Sequence, residues 1–171
     1  MKKIFLILLA IAMTSCGGDD DTNHDHYLPT NDYQSSVTVD EQPYEPASGH
    51  YSIVAGDNEN ETGRSFVLSS GSDTPNVLQF RISYPTSMAN ATGSYIFHIG
   101  VIGENLFAQG TFTGLFAHNL VGGTVHVTDL GNHKFRFEFE HIEGLDWLNG
   151  SPDILIDGTF EGTLAFNGTA N

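Results

Sequence analysis

The sequence predicts an all-β domain, a single antiparallel β-sandwich or β-barrel of about 8–10 strands. Three observations point that way. Short runs alternate apolar and polar residues, as in Leu78-Gln79-Phe80-Arg81-Ile82 and Phe135-Arg136-Phe137-Glu138-Phe139. That period of two puts one set of side chains on a core face and the other in water. No long segment repeats its apolar residues with helical period, and glycine and turn clusters recur about every dozen residues.

Taken in order, Val37 and Val39 open the first strand, and Pro43 and Pro46 interrupt its continuation. Tyr51, Ile53 and Ala55 alternate in the next, followed by Phe66 and Leu68, then Leu78 to Ile82. Tyr95 to Ile102 is nearly all apolar, with His98 inside it. Such a run predicts a central strand covered on both faces, with His98 a hydrogen-bonded core residue. Leu106 to Thr113 is a further strand. Val125 and Val127 pair with Phe135, Phe137 and Phe139 across the turn Asp129-Leu130-Gly131-Asn132, and Ile154 to Phe166 closes the domain. An internal echo joins Gly110-Thr111-Phe112-Thr113-Gly114 to Gly158-Thr159-Phe160-Glu161-Gly162. Glycines two residues either side of an inward Phe predict a bend, bulge or close crossing.

The N-terminus has a different character. Lys2 and Lys3 precede an apolar run from Ile4 to Met13, then the small residues Thr14 and Ser15, then Cys16, the only cysteine. This is the plan of a secretory signal. The run is shorter than the roughly 20 apolar residues of a membrane-spanning helix. Met13-Thr14-Ser15-Cys16 resembles the lipobox of bacterial lipoproteins. The resemblance implies cleavage before Cys16, so residues 1–15 are a signal peptide, and acylation of Cys16. The following Gly17-Gly18-Asp19-Asp20-Asp21 resembles the start of surface lipoproteins from Bacteroidetes and their flavobacterial relatives, in which a short acidic stretch directs export to the outer face of the outer membrane. A periplasm-facing position on the same membrane is the alternative. The stretch from Gly123 to Val127, with Phe135 to Phe139 and Asp157 to Leu164, is also similar to the C-terminal half of small Bacteroidetes lipoproteins. It covers under half the domain and carries no catalytic residues across.

Residues 16–34 are rich in Asp, Asn, Thr and Gly without apolar period and read as a lipidated flexible tether, leaving residues 35–171 as the domain. His24-Asp25-His26 within the tether offers two metal ligands, too few for a structural site. Without residues 1–15 the chain keeps four basic and 21 acidic residues, a net charge of −17. That charge excludes a nucleic-acid footprint and direct docking on anionic head groups. With its single thiol acylated the protein has no disulfide, so packing alone stabilises it.

The candidate ligand-binding residues are Glu143, Asp146 and Trp147. The segment Glu143-Gly144-Leu145-Asp146-Trp147-Leu148 holds the only Trp beside two acids, between two strands. A flat ring with carboxylate acceptors suits a sugar. The competing reading makes Trp147 a plug over one end of the core, with Ile142, Leu145 and Leu148 on one face of a short helix. Asp57-Asn58-Glu59-Asn60-Glu61 is dense in oxygen ligands but lacks the glycine and terminal Glu of an EF-hand loop, which leaves a solvated hairpin tip. His98, His126, His133 and His141 lie on segments of different facing, and no metal or other cofactor is expected. Glu138 and Glu140 sit side by side on an exposed face rather than flanking a scissile bond. No nucleophile motif is present, and the chain reads as a non-enzymatic binding protein for an extracellular glycan or protein. Two alternatives stand beside it. One is an accessory subunit docking on an outer-membrane partner through a sheet edge or the apolar pair Leu115-Phe116. The other is a barrel holding a small apolar ligand in a Phe-rich interior, which resembles the lipocalin solution.

Overall fold

A computed structural model describes residues 32–56, 58–71, 73–99, 106–146 and 153–170. The described chain is all strand and turn. In order the strands are β1 (Gln34–Ser35), β2 (Thr38–Val39), β3 (Gln42–Pro43), β4 (Pro46–Ala55), β5 (Glu61–Ser70), β6 (Val77–Pro85), β7 (Gly93–Phe97), β8 (Phe107–Thr113), β9 (Ala117–Gly131), β10 (Lys134–Leu145), β11 (Ile154–Thr163) and β12 (Ala165–Ala170). They form one strongly curled sheet in the order β12-β4-β5-β6-β8-β7-β9-β10-β11-β2-β3, with β1 also paired to β11.

The direction of the pair that brings the sheet's ends together follows from strand count. β4, β5, β6, β8, β9, β10 and β11 run alternately up and down. β12 continues β11 after Leu164 and pairs with β4 in parallel. An odd number of alternating strands returns to its start pointing the same way, so the meeting pair is parallel. β7 wedges between β8 and β9, parallel to the first and antiparallel to the second. Both its edges are paired, but only one of its faces is covered. Tyr95 and Phe97 point inward, while Ser94 and Ile96 are exposed. This corrects the expectation of a strand covered on both faces, because a curled sheet has a single interior. His98 is likewise exposed rather than in the core, with its ring Nδ1 2.7 Å from the Ile99 carbonyl. Val101 and Ile102 lie outside the described residues.

Rings fill the interior. Phe137 of β10 meets Phe66 of β5 at 4.9 Å, Phe80 of β6 at 5.2 Å and Phe160 of β11 at 5.7 Å between centroids. These are the separations of edge-to-face and offset aromatic pairs, and all four side chains are fully buried. Walls facing each other across the sheet thus touch at this level.

Two ends follow from the topology. The entry end carries the turns β4–β5, β6–β7 and β9–β10; the far end carries β5–β6, β8–β9 and the chain between β10 and β11. At the entry end Arg64 turns inward, bonded to Asp129 at 2.8 Å and to Tyr84 Oη at 3.1 Å. Its guanidinium carbon lies 5.6 Å from the Tyr51 ring centroid and 5.4 Å from that of Phe135. A mostly buried cation needs such a carboxylate and ring faces. Toward the far end Tyr44 reaches into the core and donates to the Leu68 carbonyl at 2.6 Å. Burial pushes its phenol up to about 12.

Packing begins at Asp32, three residues before the expected domain start. Asp32 accepts hydrogen bonds from the Thr163 amide and hydroxyl, both 2.8 Å, and lies 3.7 Å from Lys134 Nζ. Tyr33 packs on Phe160 at 5.2 Å and covers Gly162, where any side chain would collide with the tyrosine ring. At Gly158 a side chain would strike the Ser36 carbonyl, and its φ of +111° is glycine territory. The glycines flanking Phe160 are thus the predicted close crossing, made by the incoming N-terminal segment. Residues 16–31 lie outside the described residues.

Phe137→Ala is expected to cost about 3–5 kcal/mol, the range for emptying a buried Phe site, and Glu138→Ala less than about 0.5 kcal/mol; denaturant melts of both variants check the facing. A second expectation concerns acid. Partial desolvation pulls the Asp32 carboxyl up, but the Thr163 bonds and the Lys134 charge outweigh it and leave its pKa below the ordinary 3.8. The folded form then holds its proton less readily than the unfolded one. The Asp32 contribution is complete above the ordinary value and is lost as pH falls through the lowered one. Asp32→Asn should lower Tm near neutrality and shrink the further loss of Tm on acidification below about pH 4.

Candidate functional site

The predicted site residues sit beyond an irregularity in β10. Through Phe135, Phe137 and Phe139 the odd-numbered residues point inward. His141 then adopts a φ of +51°, and the pairing register shifts against both neighbouring strands. Asp157 accepts the His141 amide at 2.8 Å, which holds the bulge closed. After it the inward set is Ile142, Gly144 and Asp146, and the outward set includes Glu143. Ile142 and Leu145 therefore belong to a strand, not to a short helix. Asp146 is 7% exposed at the far end of the interior. Glu143 is exposed and lies against Gly122 of β9 on the outer wall. The two carboxylates do not share a face, so they do not form one acceptor pair. Trp147 and Leu148 lie outside the described residues, as does Cys16.

Of the other candidates, Asn58 to Asn60 do form a hairpin tip, with the Asn58 side chain accepting the Asn60 amide at 2.9 Å; Asp57 lies outside the described residues. Among the described residues no three His, Cys, Asp or Glu side chains come together to hold a metal ion. His133 instead lies beside Tyr51, ring Nδ1 to hydroxyl 2.7 Å. His118 is buried toward the far end, two residues from the inward Leu120.

One arrangement could not be read from sequence spacing. Ser94 Oγ is 2.7 Å from His126 Nδ1, and His126 Nε2 is 3.2 Å from Glu140 Oε2. Ser, His and carboxylate in series is the order of a nucleophile relay. Here all three occupy outward positions of β7, β9 and β10, with His126 40% and Glu140 64% exposed. Water solvates the hydroxyl and screens the carboxylate, so the chain is a cross-strand polar ladder.

Three surface depressions are lined by described residues. About 580 Å³ lies between Asn58–Glu61 and Pro85–Ser87 at the entry end. About 330 Å³ lies beside the β2–β3 turn, where Asp40 and Asp157 are occupied in holding strand backbone: Asp40 accepts the Leu155 amide, Asp157 that of His141. The third, about 480 Å³, lies on the outer wall where β6, β8 and β9 adjoin. It is lined by Gln79, Arg81, Gln109, Thr111 and Asn119 over the paired Phe80 and Gly110. Among the described residues that line it there is no carboxylate, on a chain with 21 acids. Alternation marks these side chains as outward, but only the register Gln79↔Thr111↔Asn119 and Arg81↔Gln109 brings them together.

Comparison of the chain with protein-family models, with curated proteins and with solved structures found no match in any of the three.

The bulge separates the two acids energetically. Asp146→Ala is expected to cost about 1–3 kcal/mol, since it strips a buried polar group from its surroundings, and Glu143→Ala less than about 0.5 kcal/mol. Parallel urea melts of the two variants measure this; equal losses would contradict the flipped phase.

Proposed function

We propose that this chain is a lipid-anchored outer-membrane protein, facing the cell exterior, that binds an extracellular ligand, glycan or protein, and is not an enzyme. The attachment of Asp32 carries the reading. Bonded to Thr163 and beside Lys134, it fixes the start of the domain at the entry end. A chain leading back to an acylated Cys16 therefore leaves from that end. Residues 17–31 could span up to about 50 Å fully extended, so the outer wall and the far end stand clear of a membrane. Several acyl chains supply stable anchoring where one is marginal. The meeting of Phe66, Phe80 and Phe160 on Phe137 speaks against an apolar ligand inside, because rings already occupy that space. A second reading, an accessory subunit docked on a partner, is favoured by the β8–β9 turn. Leu115 there is 90% exposed and Phe116 is exposed beside it, at the end away from the anchor.

The test is made in the native host. The wild-type chain is expected to sediment with outer membranes, to carry acyl mass on Cys16, and to be cut by proteinase K on intact cells. Cys16→Ser should move it to the soluble fraction. An unmodified Cys16 in the membrane form would remove the anchor, and full protection from protease on intact cells would remove the exterior facing.

A further inference from the structure

We infer that the groove on the outer wall of β6, β8 and β9 is the ligand seat, and that its ligand is an uncharged oligosaccharide. This deepens the binding-protein reading and rests on it for biological meaning, but the seat itself needs no anchor.

Gln79, Gln109 and Asn119 each present an amide that donates through nitrogen and accepts through oxygen. Thr111 adds a hydroxyl that does both, and Arg81 adds donors. A sugar hydroxyl also donates and accepts, so adjacent hydroxyls match planar amides in pairs. The register sets these groups in two rows. Gln79, Thr111 and Asn119 stand abreast on three neighbouring strands, and Arg81 and Gln109 stand abreast two residues along. Neighbouring strands are about 4.8 Å apart, a spacing comparable to one sugar ring. Arg81 is held in place, donating through Nη2 to the Ala55 carbonyl at 2.8 Å.

The groove also selects against other classes. A peptide recognised by strand addition needs free backbone N–H and C=O groups. Here the backbones of β6 and β8 are paired with each other along Val77–Ser83, and that of β8 with β9 along Gly110–Thr113. Only side-chain chemistry is on offer. An anionic ligand meets no carboxylate among the described lining residues, but it approaches a chain of net charge −17 without its first 15 residues, and long-range repulsion slows and weakens that encounter. An apolar ligand would find polar ends of amides and a guanidinium. At about 480 Å³ the groove lies within the range of small-molecule seats.

The experiment uses the full-length protein in detergent micelles, titrated with cellotriose, maltotriose, mannotriose and xylotriose, and with trigalacturonate as the acidic counterpart. Binding is followed by calorimetry and by saturation-transfer NMR. At least one neutral trisaccharide is expected to bind saturably below 10 mM. The exposed-site double variant Gln79→Ala/Asn119→Ala should weaken it at least tenfold with Tm unchanged, and Glu138→Ala, outward on β10 and outside the groove lining, should leave it unchanged. Absence of saturable binding by all four neutral sugars overturns the inference. So does binding that survives the double variant, or binding of trigalacturonate alone. Membrane fractionation and protease accessibility are read separately, so loss of the anchor and loss of the seat are distinguishable.

Discussion

Phe137 is the point at which three walls of the sheet meet. Its ring lies against Phe66, Phe80 and Phe160, which belong to β5, β6 and β11. Neighbouring pairs continue the contact: Phe66 with Phe135 at 5.2 Å, Phe80 with Phe139 at 5.7 Å, and Tyr51 with Phe135 at 5.0 Å. With no disulfide in the described chain, this aromatic layer is the main apolar burial available, and each buried ring contributes through area and edge-to-face geometry together. The curled sheet closes around it because an open sheet would leave one side of these rings in water.

The polar features depend on that layer. Arg64 can be held inside the entry end because the adjoining Tyr51 and Phe135 rings lie against its charge while Asp129 neutralises it. On the outside, Lys134 and Arg136 both reach Glu161, at 2.9 and 2.6 Å. Arg136 and Glu161 are cross-strand partners, as are Phe137 and Phe160 next to them on the opposite face. One register therefore sets both the ring stack and the ion network. Asp32 joins the same network through Lys134, which links the incoming chain to the stack by a single shared strand pairing.

Much of this was legible in the residues. The all-β class, the inward facing of Phe135, Phe137 and Phe139, and the crossing at Gly158 and Gly162 follow from alternation and glycine placement. What alternation cannot carry is a change of phase. His141 has no local signal for positive φ; the bulge depends on Asp157, 16 residues away in sequence, accepting its amide. Counting through the bulge, or ending the strand before it, misplaces Glu143 and Asp146. The segment Asp32-Tyr33 reads as tether by composition, because only its tertiary fit over Gly162 and Thr163 makes it part of the domain. The groove residues were legible as outward singly. Their assembly depends on register between strands whose connections are 21 and three residues long, and register is a tertiary property.

A filled interior also shapes what the exterior can do. Interiors packed at crystal-like density deform little, so the strands beneath Gln79, Arg81, Gln109, Thr111 and Asn119 hold their spacing without a ligand. Hydroxyl recognition by amides gains little net free energy per bond, because each replaces a bond to water. It becomes useful when several donors and acceptors are already at the right separation, so that binding orders few groups. Paired strands over a ring stack are ordered already. The same rigidity limits the seat. A wall that does not move cannot close over its ligand, so water remains on the open side and affinity stays modest unless several copies of the protein engage one long chain. The anchoring proposed above, from the entry end with this strand wall standing clear, would suit such multivalent contact, where linked sites gain effective concentration rather than new bonds.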